Sequence, residues 1–151
     1  MDEIRPWLFI GAYRDTINKS YLDFKSIRAM LQLAERVEQQ NILSLYLPVE
    51  DVAPVSSKHI RQGVDFILDQ KQKEHRVLVA CGVGINRSSV FCAAALKESE
   101  NLSLFDAFKE VKKLHPESMP HEPVWESLCS YYHEHTPYLD VMRLGIEFRK
   151  G

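Results

Sequence analysis

The chain has 151 residues, 45% hydrophobic and 26% charged, the proportions of one globular domain long enough to bury a core. A formal net charge of −2 and a pI of about 6.3 give no global basic field, so neither a nucleic-acid partner nor an anionic membrane is expected. No apolar run reaches membrane-spanning length, and Met1-Asp2-Glu3 is unlike a signal peptide. Three cysteines cannot all pair and fit no zinc spacing, so a reducing cytoplasm is the expected compartment. In chain order, residues 7–10 form the first apolar strand candidate, closed by Gly11. Residues 15–24 are polar, with Leu22 and Phe24 the expected core contacts. Residues 27–38 read two ways: 28–36 as helix by propensity, or 27–33 as a strand by near-alternation. Residues 42–47 alternate and read as a second central strand.

Residues 48–57 hold two prolines and a charged pair, and are a loop. Ser56 or Ser57 can cap a helix over 58–72, with Ile60, Val64, Phe66 and Ile67 on its apolar side. A solvated turn, 71–75, leads into a central strand over 77–80 and then a helix from about residue 90. Ser103 can cap another helix, with Leu104, Ala107, Phe108, Val111 and Leu114 at helical spacing, broken by Pro116 and Pro120. Residues 122–135 read as the last core helix, with Val124, Leu128 and Tyr131 along one face. Residues 138–150 are an amphipathic tail with Val141, Leu144, Ile146 and Phe148 apolar, able to pack on the domain or on a second copy. Trp7, Trp125 and Cys129 read as core, and His115, His121, His133 and His135 as surface residues with no metal-binding cluster. Strands interleaved with helices imply an α/β fold in a single domain over 1–151.

The most informative stretch runs Arg76-Val77-Leu78-Val79-Ala80-Cys81-Gly82-Val83-Gly84-Ile85-Asn86-Arg87-Ser88-Ser89. Strand, tight loop and helix start follow one another. Such a loop turns backbone N–H groups and the positive helix end toward one point, and Gly82 and Gly84 let it turn tightly. That nest suits a tetrahedral oxyanion, and Arg87 can add two parallel hydrogen bonds. The same field favours a thiolate at the loop's base, where Cys81 stands. A thiolate facing a bound phosphate is a phosphoryl-transfer site. The plainer reading makes Cys81 a small buried hydrophobe at a strand end.

Cys81-Gly82-Val83-Gly84-Ile85-Asn86-Arg87-Ser88 resembles the phosphate-binding loop of the cysteine-dependent protein phosphatases, and within them the small dual-specificity phosphatases. Ile4-Arg5-Pro6-Trp7-Leu8-Phe9-Ile10-Gly11 resembles their opening strand, and Tyr46-Leu47-Pro48-Val49-Glu50-Asp51 the segment with the general acid. With His115-Pro116 and the helix that follows, the similarity spans roughly residues 4–135. It implies a small, mostly parallel sheet flanked by helices, the smaller helical group on one side, with a strand near 27–31. It also implies a phosphomonoester hydrolase working through a phosphocysteine.

The resemblance assigns roles. Cys81 is the nucleophile. The backbone of Gly82, Val83, Gly84, Ile85, Asn86 and Arg87, with the Arg87 guanidinium, holds phosphate in place of a metal, so no metal and no cofactor are implied. Ser88 hydrogen-bonds the sulfur and helps it leave, or caps the helix, or both. Asp51, 30 residues before Cys81, is the general acid or else a solvent-facing loop acid, with Glu50 the neighbouring alternative. Asp15 and Asp65 have weaker claims, at expected surface positions. Asn86 can brace the loop through its side chain or serve as a plain turn residue. Ala80 departs from the family, which usually has histidine before the nucleophile. Cys92 can pair with Cys81 under oxidation or remain a buried helical thiol.

Val83 and Ile85 are apolar and the loop has no lysine, unlike relatives that act on inositol phosphates. A small domain without pocket-deepening insertions implies a shallow site, open to phosphotyrosine and to phosphoserine or phosphothreonine in proteins. The alternatives are a phosphate-binding pseudophosphatase, a phosphatase of RNA 5′-phosphate or phosphoinositide, and a rhodanese-like sulfur-transfer protein.

Overall fold

The computed structural model describes the backbone of residues 1–150 and the side chains of residues 1–147. The elements in order are β1 (Asp2–Arg5), β2 (Leu8–Ala12), α1 (Tyr13–Thr16), α2 (Lys19–Phe24), β3 (Ile27–Gln32), β4 (Leu43–Tyr46), α3 (Ser57–Gln72), β5 (Arg76–Cys81), α4 (Arg87–Glu100), α5 (Leu104–Leu114), α6 (Glu122–Tyr132) and α7 (Tyr138–Lys150). One sheet has the order β1-β2-β5-β3-β4. The β1–β2 pair is antiparallel; β2–β5, β5–β3 and β3–β4 are parallel.

The period of two along each strand sorts side chains into two cores. Val77, Val79 and Cys81 of β5 join the larger cluster, with Leu8 and Ile10 of β2 and the apolar faces of α3 to α7. Leu78 and Ala80 point the other way, into a smaller cluster with Phe9, Leu22, Ile27, Met30 and Ile42. On β3 the alternation breaks between Ile27 and Ala29, where the register with β5 shifts. Helical propensity at 28–36 therefore yields to strand pairing, because Ala29, Met30 and Leu31 gain burial on both faces of the sheet.

The caps follow sequence. Ser56 Oγ accepts the His59 N–H at 3.1 Å, and Ser103 Oγ accepts the Asp106 N–H at 3.1 Å. Helix α4 ends at Asn101 and α6 at His133, both left-handed. That turn ends α6 at Tyr132, short of the expected 135.

Several expectations need correction. The strand expected over 42–47 is not central. It is the edge strand β4, with Leu43 56% exposed, because among the described residues no strand pairs beyond it. Phe24 is 79% exposed and not a core residue. Two residues advance about 200° around a helix, so α2 can turn Leu22 inward only by turning Phe24 out. Trp7 is half-buried, with Lys71 Nζ 5.1 Å from its ring centroid, whereas Trp125 is fully buried against Phe108 at 5.4 Å. The tail α7 packs on α5 and α6, burying Val141 and Leu144, while Tyr138 donates its hydroxyl to the Pro120 carbonyl at 2.7 Å. Ile146 faces out of that contact, and the Phe148 side chain lies outside the described residues.

Candidate active site

Strand β5 ends at Cys81 and α4 begins at Arg87, so residues 82–86 form a loop at the carboxyl end of the parallel strands, where such sheets bind ligands. Four of its carbonyls are turned away from the thiol. The Gly82 carbonyl accepts the Tyr13 N–H at 3.2 Å, and the Ile85 carbonyl the Met119 N–H at 2.8 Å. The Gly84 carbonyl accepts His115 Nε2–H at 2.7 Å, and the Asn86 carbonyl the Ser89 hydroxyl at 2.6 Å. In a planar trans peptide the N–H points opposite to its carbonyl. The amides of Val83, Ile85, Asn86 and Arg87 are therefore aimed to the other side, as an anion nest requires.

Cys81 Sγ is buried and lies 3.2 Å from Ser88 Oγ. Ser88 sits inside α4, whose N-cap is Asn86, so its hydroxyl faces sulfur and is not the helix cap. Arg87 Nη1 donates to the Val49 carbonyl at 2.9 Å. Its Nε is buried without a hydrogen-bond partner, and Asp51 Oδ1 stands 3.5 Å away. A buried guanidinium N–H without a hydrogen bond is a costly arrangement that an oxyanion would relieve.

Asp51 lies on the loop after β4, with a side chain 53% exposed. Asn86 Nδ2 donates to the Asp51 carbonyl and to Asp51 Oδ1, the latter at 2.5 Å. Thus Asp51 is brought against Asn86 and Arg87, at the end of the loop that follows Cys81, while Glu50 is exposed beside it in sequence. Asp65 is tied to Arg61 on α3, away from this site. Asp15 is buried rather than on the surface, and its Oδ2 accepts the Ala12 N–H at 2.8 Å.

Residues 8–134 match the family model for the dual specificity phosphatase catalytic domain. The chain belongs to the dual specificity phosphatase family. Human dual specificity protein phosphatase 5 is 31% identical over 140 residues, covering 89% of this chain and 36% of that protein, so the chain spans about a third of that relative's length. Mouse dual specificity protein phosphatase 18 is 29% identical over 136 residues, covering 87% of this chain and 72% of that protein. Human DUSP28 shares the fold with a TM-score of 0.82 at 23% identity, over 88% of this chain and 96% of that one. The human tyrosine phosphatase-like serine/threonine/tyrosine-interacting protein superposes with a TM-score of 0.79 at 26% identity, over 88% of this chain and 95% of that one.

Within this dual specificity phosphatase fold, three features of the loop were not readable from sequence. Gly84, not Gly82, is the glycine the turn demands: its φ is +77°, and an added Cβ would meet the Gly11 carbonyl oxygen at 2.8 Å. At Gly82 the same atom would meet only Arg87 Nη2, at 3.3 Å. His115 is not a surface residue. It is buried, with Nδ1 2.6 Å from Asp2 Oδ2 and 3.3 Å from Glu117 Oε1, while Nε2 holds the loop. Asn86 braces the loop, as its residue type allowed, but against Asp51 and the His121 N–H rather than against its own turn. His121 keeps a surface position beside the acid, with Nδ1 3.0 Å from the Asp51 carbonyl. No local pattern flags His115 or His121, because their partners are distant in sequence.

Ala80 points into the smaller apolar cluster, on the face of β5 opposite Cys81. Cys92 is fully buried on α4, and burial pushes its thiol up, with the nearby Cys81 adding to the effect. Burial likewise pushes the Cys129 thiol up. Asp2, His115 and Glu117 have potential ligand atoms within 4.8 Å of one another, but His115 Nδ1 is already hydrogen-bonded to Asp2. Among the described residues no helix is long and apolar enough to cross a membrane.

Proposed function

We propose that the chain is a cysteine-dependent phosphatase that cleaves phosphotyrosine and phosphoserine or phosphothreonine monoesters in proteins. The observation that carries this reading is a single one. A thiol 3.2 Å from Ser88 Oγ sits at the base of a loop whose Gly82, Gly84, Ile85 and Asn86 carbonyls are taken by neighbouring donors and whose buried arginine Nε makes no hydrogen bond, with Asp51 Oδ1 3.5 Å away.

In the proposed reaction, Cys81 thiolate attacks phosphorus in line, forming the S–P bond as the O–P bond of the ester breaks. Loop amides and Arg87 hold the equatorial oxygens as charge redistributes. Asp51 gives its proton to the leaving oxygen, which a serine or threonine alkoxide needs most. Water then attacks the phosphocysteine, Asp51 takes its proton, and sulfur leaves as thiolate with the Ser88 hydroxyl beside it. The loop amides and Arg87 do the work of a metal. A protein substrate is favoured over inositol phosphates or RNA 5′-phosphate because Val83 is 71% exposed at the loop and no lysine lies there. Three buried free cysteines suit a reducing compartment such as cytoplasm.

The test is hydrolysis of a chromogenic aryl phosphate, metal-free and with reductant. Turnover by the wild type, abolished in Cys81→Ser and inhibited by vanadate, is the expected result. The second reading is a phosphopeptide-binding protein without turnover, favoured by Ala80. Tight phosphopeptide binding by an inert wild type would establish it.

A further inference from the structure

The loop that binds phosphate also holds the acid loop, and one side chain makes most of that connection. Asn86 is almost wholly buried. Its Oδ1 accepts the His121 N–H at 2.7 Å, so the orientation of the amide is determined: the NH2 must face the other way. There it meets two acceptors of Asp51, the main-chain carbonyl and Oδ1. His121 Nδ1 approaches the same carbonyl, and Arg87 holds the preceding turn through Val49. Among the described residues the other carboxyl oxygen of Asp51, Oδ2, accepts no hydrogen bond.

We infer that Asn86 is a positioning residue that latches the acid loop over the phosphate loop and leaves Oδ2 of Asp51 as the oxygen that carries the proton. This inference rests on the phosphatase reading for its catalytic consequence, though not for the latch itself. The physical reason is one of acceptors. An oxygen engaged by an amide donor is held as an acceptor, so the proton of the neutral acid belongs on the other oxygen. The backbone contact holds the loop, and the side-chain contact sets which edge of the carboxyl faces the substrate. Both are made by one residue, 35 positions along the chain from Asp51.

The test compares Asn86→Ala, and Asn86→Ser whose hydroxyl is too short to span the gap, with wild type on two substrates. Phenyl phosphate needs a proton on leaving; dinitrophenyl phosphate needs almost none. The latch predicts that the phenyl-to-dinitrophenyl rate ratio falls about tenfold or more, part of the effect that general acids supply. In an Asp51→Ala background the same changes should lower that ratio no further. Amide exchange over residues 48–54 should quicken in both folded variants. A ratio unchanged from wild type, or an equal further fall without Asp51, overturns the inference and leaves Asn86 a structural loop residue. If wild type shows no turnover, the phosphatase reading falls and exchange alone decides the latch. Faster exchange at 48–54 then supports it, and unchanged exchange overturns it.

Discussion

Replacing Gly84 by alanine tests the loop geometry most directly. Gly84 has φ +77°, and its Cβ position lies 2.8 Å from the Gly11 carbonyl oxygen and 2.9 Å from the Gly11 carbonyl carbon. Left-handed backbone costs alanine roughly 1–2 kcal/mol. The overlap adds roughly 1–3 kcal/mol, the usual range for overpacking a site that cannot yield. It cannot yield here because Gly11 lies in β2, paired with Ala80 of the central strand. The expected loss is therefore about 2–5 kcal/mol, or a fall in Tm of order 5–15 °C for a domain of this size. Urea unfolding and vanadate binding, measured on the same protein, are the assays. Gly82→Ala is the control. Its added Cβ meets only the flexible end of Arg87, so stability should change by less than about 1 kcal/mol. A Gly84→Ala protein with stability and vanadate affinity both within about 0.5 kcal/mol of wild type would refute the reasoning.

Other outcomes follow from the same geometry. Asp51→Asn should lower kcat on phenyl phosphate about a hundredfold while Glu50→Gln changes little, since only Asp51 approaches Arg87 and Asn86; equal effects in steady-state assays would unseat the acid assignment. His115→Ala removes the donor to the Gly84 carbonyl and should cost about 1–3 kcal/mol in urea unfolding with weaker vanadate binding; an unchanged affinity would show that the histidine does not shape the loop. Because burial pushes the thiols of Cys92 and Cys129 up, iodoacetate at neutral pH should label Cys81 alone by peptide mapping, and vanadate should block it. The hydrogen bonds from Arg5 hold the Glu100 carboxylate below its ordinary range. Its folded pKa is depressed, so its contribution is full above the unfolded value of about 4.3 and is lost as pH falls through the folded value. Glu100→Gln should therefore soften the drop in urea midpoint between about pH 6 and about pH 3, and an identical drop would count against it.

The strand, glycine loop and helix start around Cys81 were legible because each is a local signal. Apolar runs, small residues and helix formers act within a few positions, and the two-residue period alone divides Val77, Val79 and Cys81 from Leu78 and Ala80. The caps at Ser56 and Ser103 are legible for the same reason. Residues 28–36 show where local preference stops deciding. Their propensity is helical, yet Ile27–Gln32 is a strand because β5 and β4 are there to pair with it.

Position in the sheet and identity of neighbours came only from tertiary structure. Whether residues 42–47 lay centrally or at the edge, whether Phe24 faced in or out, and where α7 docked depended on which surfaces met. The site divides along the same line. The residue types at Cys81, Arg87, Ser88 and Asp51 stand in the sequence, but His115 holding Gly84 across 31 positions and Asn86 holding Asp51 across 35 do not. A hydrogen bond between distant residues leaves no periodicity, because its geometry exists only after the intervening chain has packed.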